Sequence, residues 1–235
     1  MKILSIDTSS IIASASLLEN DKIIGEISIN NPKTHSQKLM SMIKTLFELS
    51  DMKIENVDRI VVANGPGSFT GLRIGISTAK GLAHPHNIKI AEVSALKGMA
   101  YNMVDFDGII CPMIDARRNQ IYTAIYSSEK DGLKNVFEDK CILIDELIEL
   151  LKKGHKKIAF LGDGVNSHKE IIKENFGDNA IFVNENNKYQ RASSLAIAFI
   201  KEGIVSKKYD EVSAIYLRKT EAETKYEQNL TNKTL

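Results

Sequence analysis

The stretch Gly65-Pro66-Gly67-Ser68-Phe69-Thr70-Gly71-Leu72-Arg73-Ile74-Gly75 decides how this chain is read. It follows the apolar run Arg59-Ile60-Val61-Val62-Ala63-Asn64 and opens a helix-patterned segment, Thr70 to Ala83. A buried strand therefore runs into a glycine-rich turn and on into a helix. Gly65 and Gly67 give the turn backbone angles closed to other residues, and Pro66 stiffens it. Gly71 and Gly75 share one helical face, where missing side chains admit a second backbone. Such a turn either cradles an anion at the helix N-terminus or serves close packing.

Working outward, residues 3–7, 12–19 and 22–30 read as strands. Asn30-Asn31-Pro32 breaks the pattern, and Thr34 is placed to cap a helix from about His35 to Leu49. Strand 58–64, the glycine turn and helix 70–83 follow, and Pro85 ends that helix. Strand Ile88 to Val93 then leads to a helix starting near Ser94, which gives the order βββαβαβα. The second half repeats it. Strands are expected at 109–115, 120–127 and 133–144, a helix from Asp145 to about Lys153, and a strand from Lys157 to Leu161. The glycine turn Gly162-Asp163-Gly164 opens a helix through about Asn175, then a strand at 180–183 and a helix from Ser193 to about Glu202. Two such units predict an α/β fold with two similar lobes, 1–105 and 106–218, facing each other. Aligning the halves pairs Asp7-Thr8-Ser9-Ser10 with Asp115-Ala116-Arg117-Arg118, and the first glycine turn with the second. The four turns are expected to converge in the cleft between lobes. Residues 219–235 carry three Lys and three Glu with few apolar groups, and are expected to be disordered alone.

Composition narrows the function classes. With 31 Lys+Arg against 30 Asp+Glu the net charge is +1, so the chain exerts no general pull on nucleic acid. Cys111 and Cys141 form neither a metal-ligand pair nor a disulfide framework and read as small buried hydrophobes. No signal sequence and no run of membrane-spanning length is visible. A cytosolic location is the expectation.

Several segments together closely resemble the bacterial TsaB (YeaZ) family. They are Ile3-Leu4-Ser5-Ile6-Asp7-Thr8-Ser9, His35-Ser36-Gln37-Lys38-Leu39, Gly65 to Gly75, Ala79-Lys80-Gly81-Leu82-Ala83, Asp115-Ala116-Arg117 and Tyr216-Leu217-Arg218. The resemblance spans roughly 1–218 in register. It implies the two-lobed actin/Hsp70/sugar-kinase (ASKHA) fold. It also implies a non-catalytic paralogue of TsaD, the subunit that transfers a threonylcarbamoyl group to the adenosine beside the anticodon of ANN-decoding tRNAs. An ATPase, TsaE, joins that complex, tRNA is met only through it, and a homodimer forms when TsaD is absent. An older label for the group is glycoprotease.

The resemblance also locates what this chain lacks. The catalytic paralogue carries a His-x-x-x-His metal motif on the helix after its fifth strand, and in register those positions fall on Ala95 and Met99. Alanine has no donor atom and a thioether is soft, so neither suits a hard or borderline cation. His84 and His86 flank Pro85 without further ligands nearby. His35 and Ser36 are helix neighbours that point apart. Ser68 is not in a Gly-x-Ser-x-Gly elbow. No metal, catalytic residue or cofactor is therefore expected. A degenerate cleft (Asp7, Thr8, Ser9, Asp115, Gly162, Gly164) leaves weak ATP or ADP binding open, because Asp163 places a carboxylate where phosphate would approach. The alternatives are a metal-dependent peptidase and an ATP-binding kinase-like enzyme of the same fold.

Surface is what remains. On helix 35–49, Leu39, Met42, Ile43 and Leu46 fill one apolar stripe, leaving Met40 and Phe47 surplus on the adjoining face. The glycine-rich helix offers Leu72, Ile76, Gly71 and Gly75, with Arg73 and Lys80 either as rim cations that select a partner or, equally well, as a solvated face. The resemblance points to this helix pair as the contact with TsaD and, alternatively, as the homodimer contact. A bland alternative is that both helices are simply buried within the lobe.

Overall fold

The computed structural model describes residues 1–31, 35–154 and 157–218. The positions read as Thr34's cap and as the disordered tail 219–235 lie outside the described residues.

Strands β1 (Lys2–Asp7), β2 (Ile12–Glu19) and β3 (Lys22–Asn30) form an antiparallel meander, followed by α1 (His35–Leu49). Next come β4 (Arg59–Gly65), α2 (Phe69–Ala83), β5 (Lys89–Ser94) and α3 (Ala95–Ala100). The second unit repeats the plan with β6 (Ile109–Asp115), β7 (Gln120–Glu129), β8 (Gly132–Leu143), α4 (Ile144–Leu151), β9 (Ile158–Leu161), α5 (Gly164–Phe176) and β10 (Ala180–Phe182). Short α6 (Glu185–Lys188), α7 (Ala192–Lys201) and two-residue β11 (Ser206–Lys207) follow. The sheets run β11-β5-β4-β1-β2-β3 and β10-β9-β6-β7-β8.

Period-two alternation sorts the strand residues into layers. In β1 and β4, Leu4, Ile6, Ile60 and Val62 face the outer helices α1 and α2. Ile3, Val61 and Ala63 face inward, onto α3 and α7. In β6, Ile110 and Ile114 point to the same inner layer, whereas Cys111 and Met113 pack under α4 and α5. The result is helices, sheet, helices, sheet, helices. Covered on both faces, β2 is buried at every position except Glu19, which explains its weak alternation in the sequence.

One connection departs from simple repetition. Helix α7 belongs in sequence to the second half, yet Leu195, Ala196 and Ala198 pack in the inner core with Ile3, Leu18 and Val61. Strand β11 then pairs antiparallel with β5, Ser206 opposite Ala91 and Lys207 opposite Ile90. The segment after it runs back across the first lobe. Val212 is buried in the outer core of that lobe, and Ile215 N–H donates to Asn64 O at 2.7 Å.

Candidate functional site

The four turns meet between the lobes, where they hydrogen-bond to one another. Ser68 N–H donates to Ser9 O at 2.6 Å, fixing the glycine turn against the β1–β2 turn. Thr8 Oγ1 donates to Gly71 O at 2.7 Å. A Cβ on Gly71 would lie 2.1 Å from Thr8 O, and one on Gly75 2.5 Å from Thr8 Oγ1. The glycine face of α2 is thus spent on the neighbouring turn. Of the two uses open to the sequence, the structure shows close packing. The α2 N-terminus is capped internally, by Ser68 Oγ accepting from Gly71 N–H at 3.2 Å.

Across the cleft, Ser10 Oγ donates to Asp163 Oδ2 at 2.8 Å, and within the second lobe Asp115 N–H donates to Asp163 Oδ1 at 3.3 Å. The carboxylate expected to repel phosphate is instead a clasp between lobes. Burial pushes the Asp163 carboxyl up, with the Ser10 hydrogen bond opposing the shift. Asp7 is fully buried. Its Oδ1 accepts from Ser9 N–H at 2.9 Å and Ser9 Oγ at 2.6 Å, while Oδ2 has no partner. Burial raises this carboxyl too. His35 Nε2 lies 2.8 Å from Ser10 O. A carbonyl only accepts, so Nε2 carries the proton there. His35 thereby pins α1 to the first turn. The Asp115–Asn119 turn holds Arg117, Arg118 and Asn119 at positive φ of 63°, 55° and 57°. Asp115 Oδ1 supports it by accepting from Arg117 N–H at 2.7 Å. Arg218 Nη1 adds a donation to Ala116 O at 2.6 Å.

Ala95 and Met99 are fully buried in the core between the sheets. Among the described residues no group of three or more His, Cys, Asp or Glu is disposed to hold a metal ion. His84 stacks on Tyr209, ring centroids 4.6 Å apart.

The helix pair divides unevenly. Met40 is 49% exposed, but Phe47 leans half-buried on the outer core. Leu72, Ile76, Gly71 and Gly75, read from the sequence as contact surface, are buried by their own chain. The stripe that a partner would use is occupied by β1, β4 and the Thr8 turn. Arg73 remains exposed, its guanidinium 3.8 Å over the Phe69 ring and its Nε donating to Tyr216 Oη at 3.1 Å. Phe69 and Tyr216 lie 4.8 Å apart. Lys80 is half-buried. The Phe69–Arg73–Tyr216 stack was not visible in the helix pattern. The recurrence of Tyr216-Leu217-Arg218 among the resembling segments was the available signal.

Comparison with known proteins gives this geometry its context. The family model described as TsaD, tRNA N6-adenosine threonylcarbamoyltransferase, matches residues 22–226. The Bacillus subtilis tRNA threonylcarbamoyladenosine biosynthesis protein TsaB is 39% identical over 171 residues, covering 73% of this chain and 75% of that one. Its Escherichia coli namesake is 30% identical over 150 residues, covering 63% of this chain and 64% of that one. A Pseudomonas aeruginosa crystal structure, described as an uncharacterized protein with similarity to peptidase YeaZ, superposes with a TM-score of 0.79 at 21% identity. That superposition covers 92% of this chain and 99% of the other, and shows the fold alone. The fold is the two-lobed ASKHA architecture. With the relative from B. subtilis matched over most of both chains, the protein belongs to the TsaB family.

Proposed function

We propose that this chain is a non-catalytic subunit in threonylcarbamoyladenosine formation on tRNA, binding a TsaD-type transferase that works with a TsaE-type ATPase. One observation carries the reading: where the resemblance places the metal-motif histidines of the paralogue, Ala95 and Met99 lie in packed core, one with no donor atom and the other with a soft thioether. The clasp of Ser10 and Asp163 agrees with it, since a cleft held by its own side chains has little to offer a nucleotide. The kinase alternative needs a glycine phosphate loop in both lobes, and the turn Asp115-Ala116-Arg117-Arg118 of the second carries no glycine.

The work of such a subunit is to favour one arrangement of its partner, which requires binding that arrangement more tightly than others. Exposed Met40 supplies adaptable apolar surface on α1, and Arg73, its guanidinium 3.8 Å over the Phe69 ring, a preorganised cation on α2. The same face would serve a homodimer, so dimer and heterodimer would exclude each other.

The test is a tRNA modification assay with the transferase, the ATPase and the carbamoyl-adenylate-forming enzyme, run with and without this chain. Modified adenosine is expected only with the chain present, and Met40→Glu is expected to cut the yield tenfold or more. Equal modification without the chain would overturn the assignment.

A further inference from the structure

Two distant parts of the chain build one exposed feature at the start of α2. The Arg73 guanidinium, stacked on Phe69, also lies 5.9 Å from the centroid of the Tyr216 ring, and its Nε donates to Tyr216 Oη. Tyr216 belongs to the segment that returns across the first lobe after β11, and the residues on either side of it are anchored. Ile215 N–H donates to Asn64 O at 2.7 Å. Ile215 O sits so close to the glycine turn that a Cβ on Gly65 would lie 2.4 Å from it. Beyond Tyr216, Arg218 Nη1 donates to Ala116 O at 2.6 Å. The tyrosine is thus fixed from both ends, and it fixes Arg73 in turn.

Arg73 is nevertheless exposed. Among the described residues its two Nη groups have no acceptor, and no carboxylate pairs with it. An arginine ordinarily gives up rotamer freedom when it binds. Here the Phe69 stack and the Tyr216 hydroxyl have restricted it beforehand, with the outer edge of its fork facing away from both. That planar fork matches the paired oxygens of a carboxylate or a phosphate. The surroundings decide between them. Ile215 and Tyr216 are 52% and 42% exposed, and the exposed α2 positions one turn to either side, Thr70 and Ser77, are neutral. A surface for a phosphate backbone gathers several cations. One held arginine among exposed aromatic and aliphatic groups has instead the composition of a protein–protein hot spot.

We propose that Phe69, Arg73, Ile215 and Tyr216 form a composite docking site for a carboxylate of the TsaD-type partner, so that the returning segment carries part of the interface alongside the helix pair. The proposal rests on the subunit reading and adds to it the chemistry of one contact.

Calorimetric titration of the full chain with the TsaD-type transferase of the same organism, at low and high salt, tests it. The parent is expected to bind with an affinity that falls as salt rises. Arg73→Gln is expected to weaken binding about tenfold and to flatten that salt dependence. Arg73→Lys keeps the charge without the fork and is expected to recover only part of the loss. Tyr216→Ala is expected to weaken binding as well, since it frees Arg73. Equal affinity in Arg73→Gln, with a parent that binds, overturns this site and leaves the subunit reading standing; so does equal affinity in Tyr216→Ala for the part given to the returning segment. A parent that does not bind the transferase overturns both. If Arg73→Gln abolishes binding of tRNA to the chain alone, the fork serves phosphate and the proposal fails. It fails too if Arg73→Gln lowers only the self-association of the chain, which would give the carboxylate to a second copy.

Discussion

Two glycines on α2 show how one residue type answers to opposite pressures. A methyl on Gly71 would meet Thr8 O at 2.1 Å, while one on Gly81 meets nothing within 4 Å. Gly71→Ala must push backbone apart and is expected to lose about 3 kcal/mol, at the upper end of overpacking costs. Gly81→Ala gains helix propensity without contact and is expected to add about 0.8 kcal/mol. Urea denaturation of both variants checks the opposite signs. The carboxylates make a second residue-scale expectation. Asp7, Asp139 and Asp163 are all raised by burial. The folded state then holds protons that the unfolded state has released. Stability from these groups is present below the ordinary value of 3.8 and falls as pH rises through the folded values. In Asp7→Asn that part of the slope disappears, so the stability of the variant relative to the parent is expected to rise from pH 4 towards neutrality, as paired denaturation curves would show.

Among the elements, α1 is where packing and exposure separate most cleanly. Leu39, Met42, Ile43 and Leu46 are buried, as the apolar stripe requires, and the half-buried Phe47 joins them. Met40 stands outside the stripe at 49% exposure. Met40→Glu is therefore expected to leave stability within about 0.5 kcal/mol of the parent while weakening capture of a TsaD-type partner, compared by thermal melts and a binding titration. The strands and long helices were legible because apolar runs and glycine or proline breaks mark them. Less legible was what covers each face. Gly71 and Gly75 advertise a close approach without naming Thr8 as the approaching group. The small face of α2 was consequently read as surface, although it is interior. Strand β11, two residues long, and α6, four residues long, carry no period to detect. The Ser10–Asp163 clasp joins residues far apart in the chain, and only the folded arrangement of lobes brings them together.

At the level of the whole molecule, the lobes are tied more than once. They share the inner core around α3 and α7, the Ser10–Asp163 clasp, and Arg218 reaching from the returning segment to Ala116 O. Arg218→Ala removes one partly buried hydrogen bond and is expected to cost about 1 kcal/mol. Because the inner core is common to both lobes, unfolding should remain a single transition, with midpoints that coincide by fluorescence and circular dichroism.

That returning segment also sets an order on how the protein is made. The first sheet acquires its outermost strand, and the inward side of Ile3, Val61 and Val93 its cover, from residues 192–207. While a ribosome is still translating the second half, the nascent first half carries an open strand edge and an apolar sheet face that α3 covers without α7, features that invite wrong pairing between chains. The first half thus waits for residues 192–207, and chaperone dependence of that half during synthesis should be greatest before residue 207 emerges.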